Sequence, residues 1–418
     1  MTTNVPVRIH DVPRLQAQRR SLTVLVIAQV LSGVGLAAGV TVGALLAQDL
    51  LSSTGLAGLP SAVGTAGSAL AAVAVGRVSQ ARGRRPGLAL GYLAGAVGSF
   101  GVIAAAVAGS PVLLFLALFL YGAGTATNLQ ARYAGADLAA PERRAGAVSV
   151  VLVATTLGGV VGPNLAAPTG GLARAFGIPY LAGPFLLAGA AYALAALVLA
   201  VWLRPDPLLL ARALEDGPAA APDAAAGRTP PAVARRGPGV LVGALVMVIT
   251  QLVMVAIMTM TPVHMHDSGS GAAAAGLVIA VHIGAMYLPS PLTGWLVDRY
   301  GRLTVATASG LVLLAAGLVA AGAPDDSVAA YAVALALLGL GWNLGLVAGT
   351  AIITDAVPPA TRARTQGLVD VSISVSGAVG GLVSGLVVAV AGYPLLAVGG
   401  GVLALVVVPV VVVAARNR

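Results

Sequence analysis

Twelve apolar runs, most of them 20 or more residues long, follow one another along this 418-residue chain with only short polar breaks between them, and few folds accommodate that pattern. They fall at about 21–47, 57–76, 87–108, 112–134, 145–165, 180–203, 239–263, 272–295, 303–322, 328–353, 365–390 and 393–414. Each is long enough to cross a ~30 Å hydrocarbon core as a helix, which takes roughly 20 residues. Hydrophobic residues make up 58% of the chain, charged residues 9%, and glycine appears 55 times, far from a soluble globular composition. The expectation is an all-α membrane protein with twelve transmembrane helices. The first 20 residues carry Arg8, Arg14, Arg19 and Arg20 but no apolar core, so no cleavable signal is expected ahead of the first span.

The formal charge of +9 raises the question of nucleic acid, and the placement of the charges answers it. With both termini cytoplasmic, the inner side holds every arginine except Arg132 and Arg174, as the positive-inside rule requires. The arginines therefore read as topology signals of a multi-pass protein of the bacterial cytoplasmic membrane, with no nucleic-acid partner. The absence of cysteine excludes disulfides, thiolate metal sites and cysteine nucleophiles. No nucleotide-binding loop, acyl-transfer constellation or phosphate motif is present, so neither an enzyme nor an ATP-driven pump is expected, and no cofactor.

The chain also repeats itself. Gly76-Arg77-Val78-Ser79-Gln80-Ala81-Arg82-Gly83-Arg84 matches Gly294-Trp295-Leu296-Val297-Asp298-Arg299-Tyr300-Gly301-Arg302 at an offset of 218 residues. Asp137, Pro141 and Arg144 match Asp355, Pro359 and Arg362 at that same offset. Two separate matches at one offset indicate a duplicated six-helix unit. The expected organisation is a bundle over 1–203, a flexible cytoplasmic linker over 204–238 rich in Ala, Pro and Gly, and a second bundle over 239–418.

Six-plus-six spans, the Gly-x-x-x-Asp-Arg-x-Gly-Arg loop from Gly294 to Arg302, and Gly158-x-x-x-Gly162-Pro163 in the fifth span together resemble the major facilitator superfamily. That resemblance implies two bundles related by a pseudo-twofold axis, rocking to give alternating access, and gating or coupling by Asp298, Arg299 and Arg302. The first loop departs from the pattern, having Gln80 where the family usually has aspartate, which makes Asp298 the expected gate latch. Gly158 and Gly162 also fit plain small-residue helix packing. The Gly-Pro pair resembles that of antiporters and points toward a drug/proton exchanger. Arg132 and Asp370 are the other charges within spans, and intramembrane ionisable groups are functional candidates by default. Pairing of Arg132 with Asp137, and of Asp370 with the inner loop, are the plainer readings.

Six of seven methionines and three of four histidines lie between Met247 and Met286. Met254 and Met258 are spaced i, i+4, as are His282 and Met286, which puts each pair on one helix face. Counted from the outer ends of their spans, Met254 and His282 fall at about the same depth, roughly 15 Å at 1.5 Å per residue. Thioether sulfur is a soft, neutral ligand suited to Cu(I), and imidazole also binds copper. A ladder of weak neutral ligands passes a cation onward without trapping it. Methionine stripes also serve as core filler.

The Met-x-x-x-Met and His-x-x-x-Met pairs resemble, residue for residue, those in the seventh and eighth helices of the CcoA-like bacterial copper importers. The resemblance implies copper as transported substrate, handled by Met254, Met258, His282 and Met286; the protein is expected to be a monomer in the lipid bilayer. It also implies delivery to copper chaperones for haem–copper oxidase assembly. His264, Met265, His266 and Asp267, at the outer end of the seventh span, are candidates for capturing metal before entry. The alternatives are a drug/proton antiporter and an importer of a small organic molecule such as riboflavin. A scaffold or receptor would leave the duplicated architecture unexplained.

Overall fold

A computed structural model of the protein describes residues 11–51, 59–216 and 238–416. Among these the regular structure is helical throughout. In the first half, α1 (Asp11–Leu51), α2 (Leu59–Arg82), α3 (Arg84–Ala108), α4 (Pro111–Ala136), α5 (Arg144–Asn164), the short α6 (Ala166–Ala175) and α7 (Gly183–Trp202) follow in order. After α8 (Pro207–Glu215) come α9 (Pro238–Asp267), α10 (Ala272–Tyr287), α11 (Ser290–Tyr300), α12 (Arg302–Ala321), α13 (Val328–Ala356), α14 (Arg362–Ala404) and α15 (Val407–Arg416).

Ten stretches among the described residues are helical, long and apolar enough to cross a membrane. The last, Arg362–Ala414, is 53 residues long and takes in α14, two helices joined at Gly392, whose φ of 79° breaks the helical path, and most of α15. α5, with 21 residues, stands where the fifth span is expected. The eighth expected span is broken into α10 and α11 by Pro289 and Pro291, which cannot donate the backbone hydrogen bonds that continue a helix.

The stretch read as a flexible linker begins with structure. Asp206 caps α8, accepting from Leu208 N and Leu209 N, and also accepts from Arg85 N at 2.7 Å, so one carboxylate ties the starts of α3 and α8 together. Residues 217–237 of that stretch lie outside the described residues.

Close helix contacts depend on glycine in two places that matter below. A Cβ at Gly158 would stand 2.1 Å from Val30 O on α1, so α5 meets α1 backbone to backbone. The Gly158 spacing is thus close packing, as small-residue spacings in membrane helices commonly are. Gly83 and Gly301, equivalent across the repeat, both take φ 97°, which turns the chain between α2 and α3 and between α11 and α12.

Candidate transport site and gate

The repeat is visible as paired contacts at the end of the molecule where α2 and α11 finish. Asp298 accepts from Ala145 N at 3.1 Å and Gly146 N at 2.8 Å, so its carboxylate sits on the first turn of α5 in the opposite half. That satisfies orphan amides and places negative charge at a helix N-terminus. Gln80, its counterpart at offset 218, accepts from Arg364 N at 3.2 Å, the counterpart of Gly146 N, and its amide donates to Ala360 O at 2.5 Å. Asp298 is the expected latch because the first loop lacks the aspartate, yet Gln80 makes the equivalent contact. A neutral amide accepts from a helix-start N–H as a carboxylate does, and it also donates to a carbonyl, which a carboxylate cannot.

Two charge triads flank these latches. Asp137 binds Arg84 of its own half at 2.8 Å and faces Arg362 of the other at 3.7 Å. Asp355 binds Arg302 of its own half and Arg144 of the other, both at 2.5 Å. Each residue maps on its equivalent 218 positions away, yet the first triad is almost wholly buried and the second is partly hydrated. Arg302 also donates to Pro141 O at 2.5 Å, while Arg299 is exposed. Gly76 packs on Gly367, and Gly294 on Ala145 and Gly146, so the backbones of the two halves also touch at this end.

Deeper in, Arg132 on α4 reaches across to the second half. Its Nη2 donates to Asp370 Oδ1 on α14 at 2.8 Å, its Nε donates to Thr350 Oγ1 at 3.0 Å, and a further donor is taken by Leu129 O. The guanidinium lies over the Tyr133 ring, 4.2 Å from its centroid, and Tyr133 OH donates to the same Asp370 oxygen at 3.0 Å. Arg132 is 0% exposed and Asp370 2%. The plainer pairing of Arg132 with Asp137 is corrected: Asp137, near the helix end, is held by Arg84, leaving Arg132 to Asp370. Asp370 Oδ2 is buried with no hydrogen-bond partner.

Around this pair stand aromatic and amide groups. Trp342 Nε1 donates to Gln251 Oε1 at 2.7 Å, and Tyr287 meets the Trp342 ring edge to face at 5.8 Å. Trp342 lies two turns before Thr350 on α13, and Gln251 packs on Gly377, two turns beyond Asp370 on α14. In the first half, Gln29, Ser32, Tyr92, Asn128 and Thr155 form one buried hydrogen-bonded cluster, with Asn128 one turn along α4 from Arg132. Neither group carries a motif; uncharged amides inside apolar spans were the available signal.

The methionine and histidine candidates are distributed differently. Met254, Met286 and Met265 are buried in the apolar core of the second half, against which Met258 packs half-buried. His282 is 0% exposed, and its Nδ1 lies 2.9 Å from Leu335 O on α13, leaving Nε2 buried and without a hydrogen-bond partner. Of the outer candidates, Met265 turns into the core, while His264 stacks on Tyr393 at 4.5 Å and approaches Asp325 at 3.5 Å. His266 and Asp267 are exposed. These four do not converge, because adjacent residues of one helix point in different directions. Among the described residues no group of three or more His, Cys, Asp or Glu is placed to hold a metal.

Among the described residues, long apolar helices from two sequence-related halves meet through equivalent loops, with ion pairs and polar side chains buried between them, and so define a helical membrane protein. Family comparison agrees: the Major Facilitator Superfamily profile matches residues 25–344 and 243–418, and the chain belongs to that superfamily. It is a multi-pass membrane transporter and not an enzyme. It is 52% identical over 406 residues to the uncharacterized MFS-type transporter YddS of Bacillus subtilis (strain 168), covering 96% of this chain and 93% of that one. It is 32% identical over 359 residues to the riboflavin transporter RfnT of Brucella anthropi, covering 85% of each. Among solved structures, human MFSD10 superposes with a TM-score of 0.74 at 17% identity, covering 94% of this chain and 99% of that one. The fucose:proton symporter FucP of E. coli gives 0.66 at 14%, covering 93% and 97%. At such identities the likeness concerns the fold.

Proposed function

We infer that this chain is a secondary active transporter that carries a small organic molecule into the cell by rocking the bundles 1–203 and 239–418 about their junction. The observation that carries the reading is the buried Arg132–Asp370 pair, whose partners belong to opposite bundles. Opening the end that holds the latches would separate them, and a lone charge left in an apolar interior costs roughly 3–5 kcal/mol. Protonation of Asp370 removes one of those charges, so a proton taken up from the open side and released on the latched side would license each cycle. The latched end is the cytoplasmic one if the arginines obey the positive-inside rule.

An organic cargo is favoured by the Trp342–Tyr287–Gln251 group, which offers flat rings and an amide beside a charge pair, and by the 32% identity to a riboflavin transporter. The test is accumulation of labelled riboflavin in proteoliposomes with and without a pH gradient, acid outside. No gradient-driven uptake of riboflavin or of related flavins would overturn this cargo.

Copper import, with the ligands Met254, Met258, His282 and Met286, is the second reading, and one observation favours it. With Nδ1–H donating to Leu335 O, the imidazole presents Nε2 as a free lone pair, the tautomer a metal-binding histidine uses. Copper-64 uptake by the same proteoliposomes decides between the two.

A further inference from the structure

The helix α8 spans the seam between the bundles. Arg212 donates from Nη2 to Gln80 O of the first bundle at 2.7 Å and from Nε to Pro359 O of the second at 3.2 Å. Pro359 is the repeat counterpart of Pro141, whose carbonyl is taken by Arg302, so a residue of α8 completes the second half of a symmetric pair. One side chain thus holds both bundles at the latched end.

The other side of α8 faces a cavity. It has a volume of about 650 Å³ and is lined by Leu210, Leu214 and Pro205 together with Arg14, Ala17 and Arg20 of α1. Arg14 Nε donates to Leu138 O at 3.0 Å, which fixes its guanidinium while leaving the terminal nitrogens for another acceptor. Arg20 is exposed. The apolar run of α1 begins at about residue 21, directly after Arg20, and α7 ends at Trp202, an exposed indole of the kind that marks a membrane boundary. The cavity therefore lies at headgroup level, with two guanidinium groups at one wall and leucine side chains at another.

We propose that this cavity binds one anionic phospholipid of the adjoining leaflet, its phosphate between Arg14 and Arg20 and its glycerol and first methylenes on Leu210 and Leu214. Guanidinium groups hold phosphate oxygens by charge-assisted hydrogen bonds, and anionic lipid attracts basic groups next to a span. Bound there, the lipid buttresses α8 and keeps Arg212 across the seam, so it favours the state latched at this end. That second step rests on the rocking mechanism; the binding step does not.

The test uses the full chain in nanodiscs of phosphatidylglycerol or phosphatidylcholine. Native mass spectrometry should show one phosphatidylglycerol retained on release from the disc, no retained phosphatidylcholine, and at least tenfold less retention in Arg20→Gln. Arg19→Gln, whose side chain is exposed next door but does not line the cavity, should retain lipid as the unaltered protein does. Equal loss in both variants, retention unchanged in Arg20→Gln, or full displacement by millimolar glycerol phosphate would overturn the lipid site. Because the chain has no cysteine, Gly385→Cys, far along α14 from the latches and where a β-carbon would meet no atom within 4 Å, reports conformation. Its labelling should be about threefold faster in phosphatidylglycerol than in phosphatidylcholine. Retention without that difference would overturn the link to the gate.

Discussion

Arg132 donates a 3.0 Å hydrogen bond to Thr350, the residue 218 places further along the chain. Since 218 is the offset of the repeat, the two are each other's counterparts, and a group that touches its own counterpart lies at the symmetry axis, as in an isologous interface. One copy of the position carries a guanidinium and the other a hydroxyl, so the axis holds a single positive charge, and Asp370 of the second bundle neutralises it. The duplicated architecture is thus asymmetric where its two halves meet.

Asp370→Asn mimics the protonated carboxyl and should uncouple the transporter. Accumulation driven by a pH gradient should disappear, while exchange of labelled for unlabelled substrate stays within a few-fold of normal. Gradient-driven accumulation by Asp370→Asn would eliminate Asp370 as the proton carrier.

The two latches should be of similar strength although only one is charged. Each holds a helix start by one or two hydrogen bonds, worth about 1 kcal/mol as a cap. Gln80→Ala and Asp298→Ala should each shift the balance toward the other state by about fivefold, read by labelling of Gly385→Cys. No shift in Gln80→Ala would return the gate to Asp298 alone.

Gly158 and Gly159 are neighbours on α5 with opposite surroundings. Gly158→Ala forces a methyl group against Val30 O and should lower the melting temperature in detergent by well over 5 °C. A methyl at Gly159 would meet no atom within 4 Å, so Gly159→Ala should hold or raise it.

Cargo can be assigned by three substitutions measured against both substrates. Trp342→Phe removes the donor to Gln251 and should raise KM for an organic substrate at least fivefold. His282→Ala should leave that transport nearly intact. If instead His282→Ala abolishes copper-64 uptake and Met260→Ala does not, the copper reading takes the lead; loss in both would mark the methionines as packing.

Orientation is checked by Asp267→Cys, which should react with an impermeant reagent from the outside of intact cells. Labelling only after permeabilisation would invert the topology.

Span positions, the repeat and the class of protein were legible in the sequence, because an apolar run needs no tertiary context to require burial in lipid and a 218-residue self-match is a property of the string. The partner of Arg132 was not, since Asp137 is five residues away and Asp370 is 238, and only packing two bundles against each other makes the distant one the neighbour. The contact made by Gln80 was not legible for a related reason. Its type differs from the family's aspartate, but its place opposite the start of α14 lets an amide meet the same unpaired backbone groups. The convergence of Trp342, Tyr287 and Gln251 from three helices left no local spacing to read, because side chains of separate helices are brought together by helix packing and not by periodicity along any one of them.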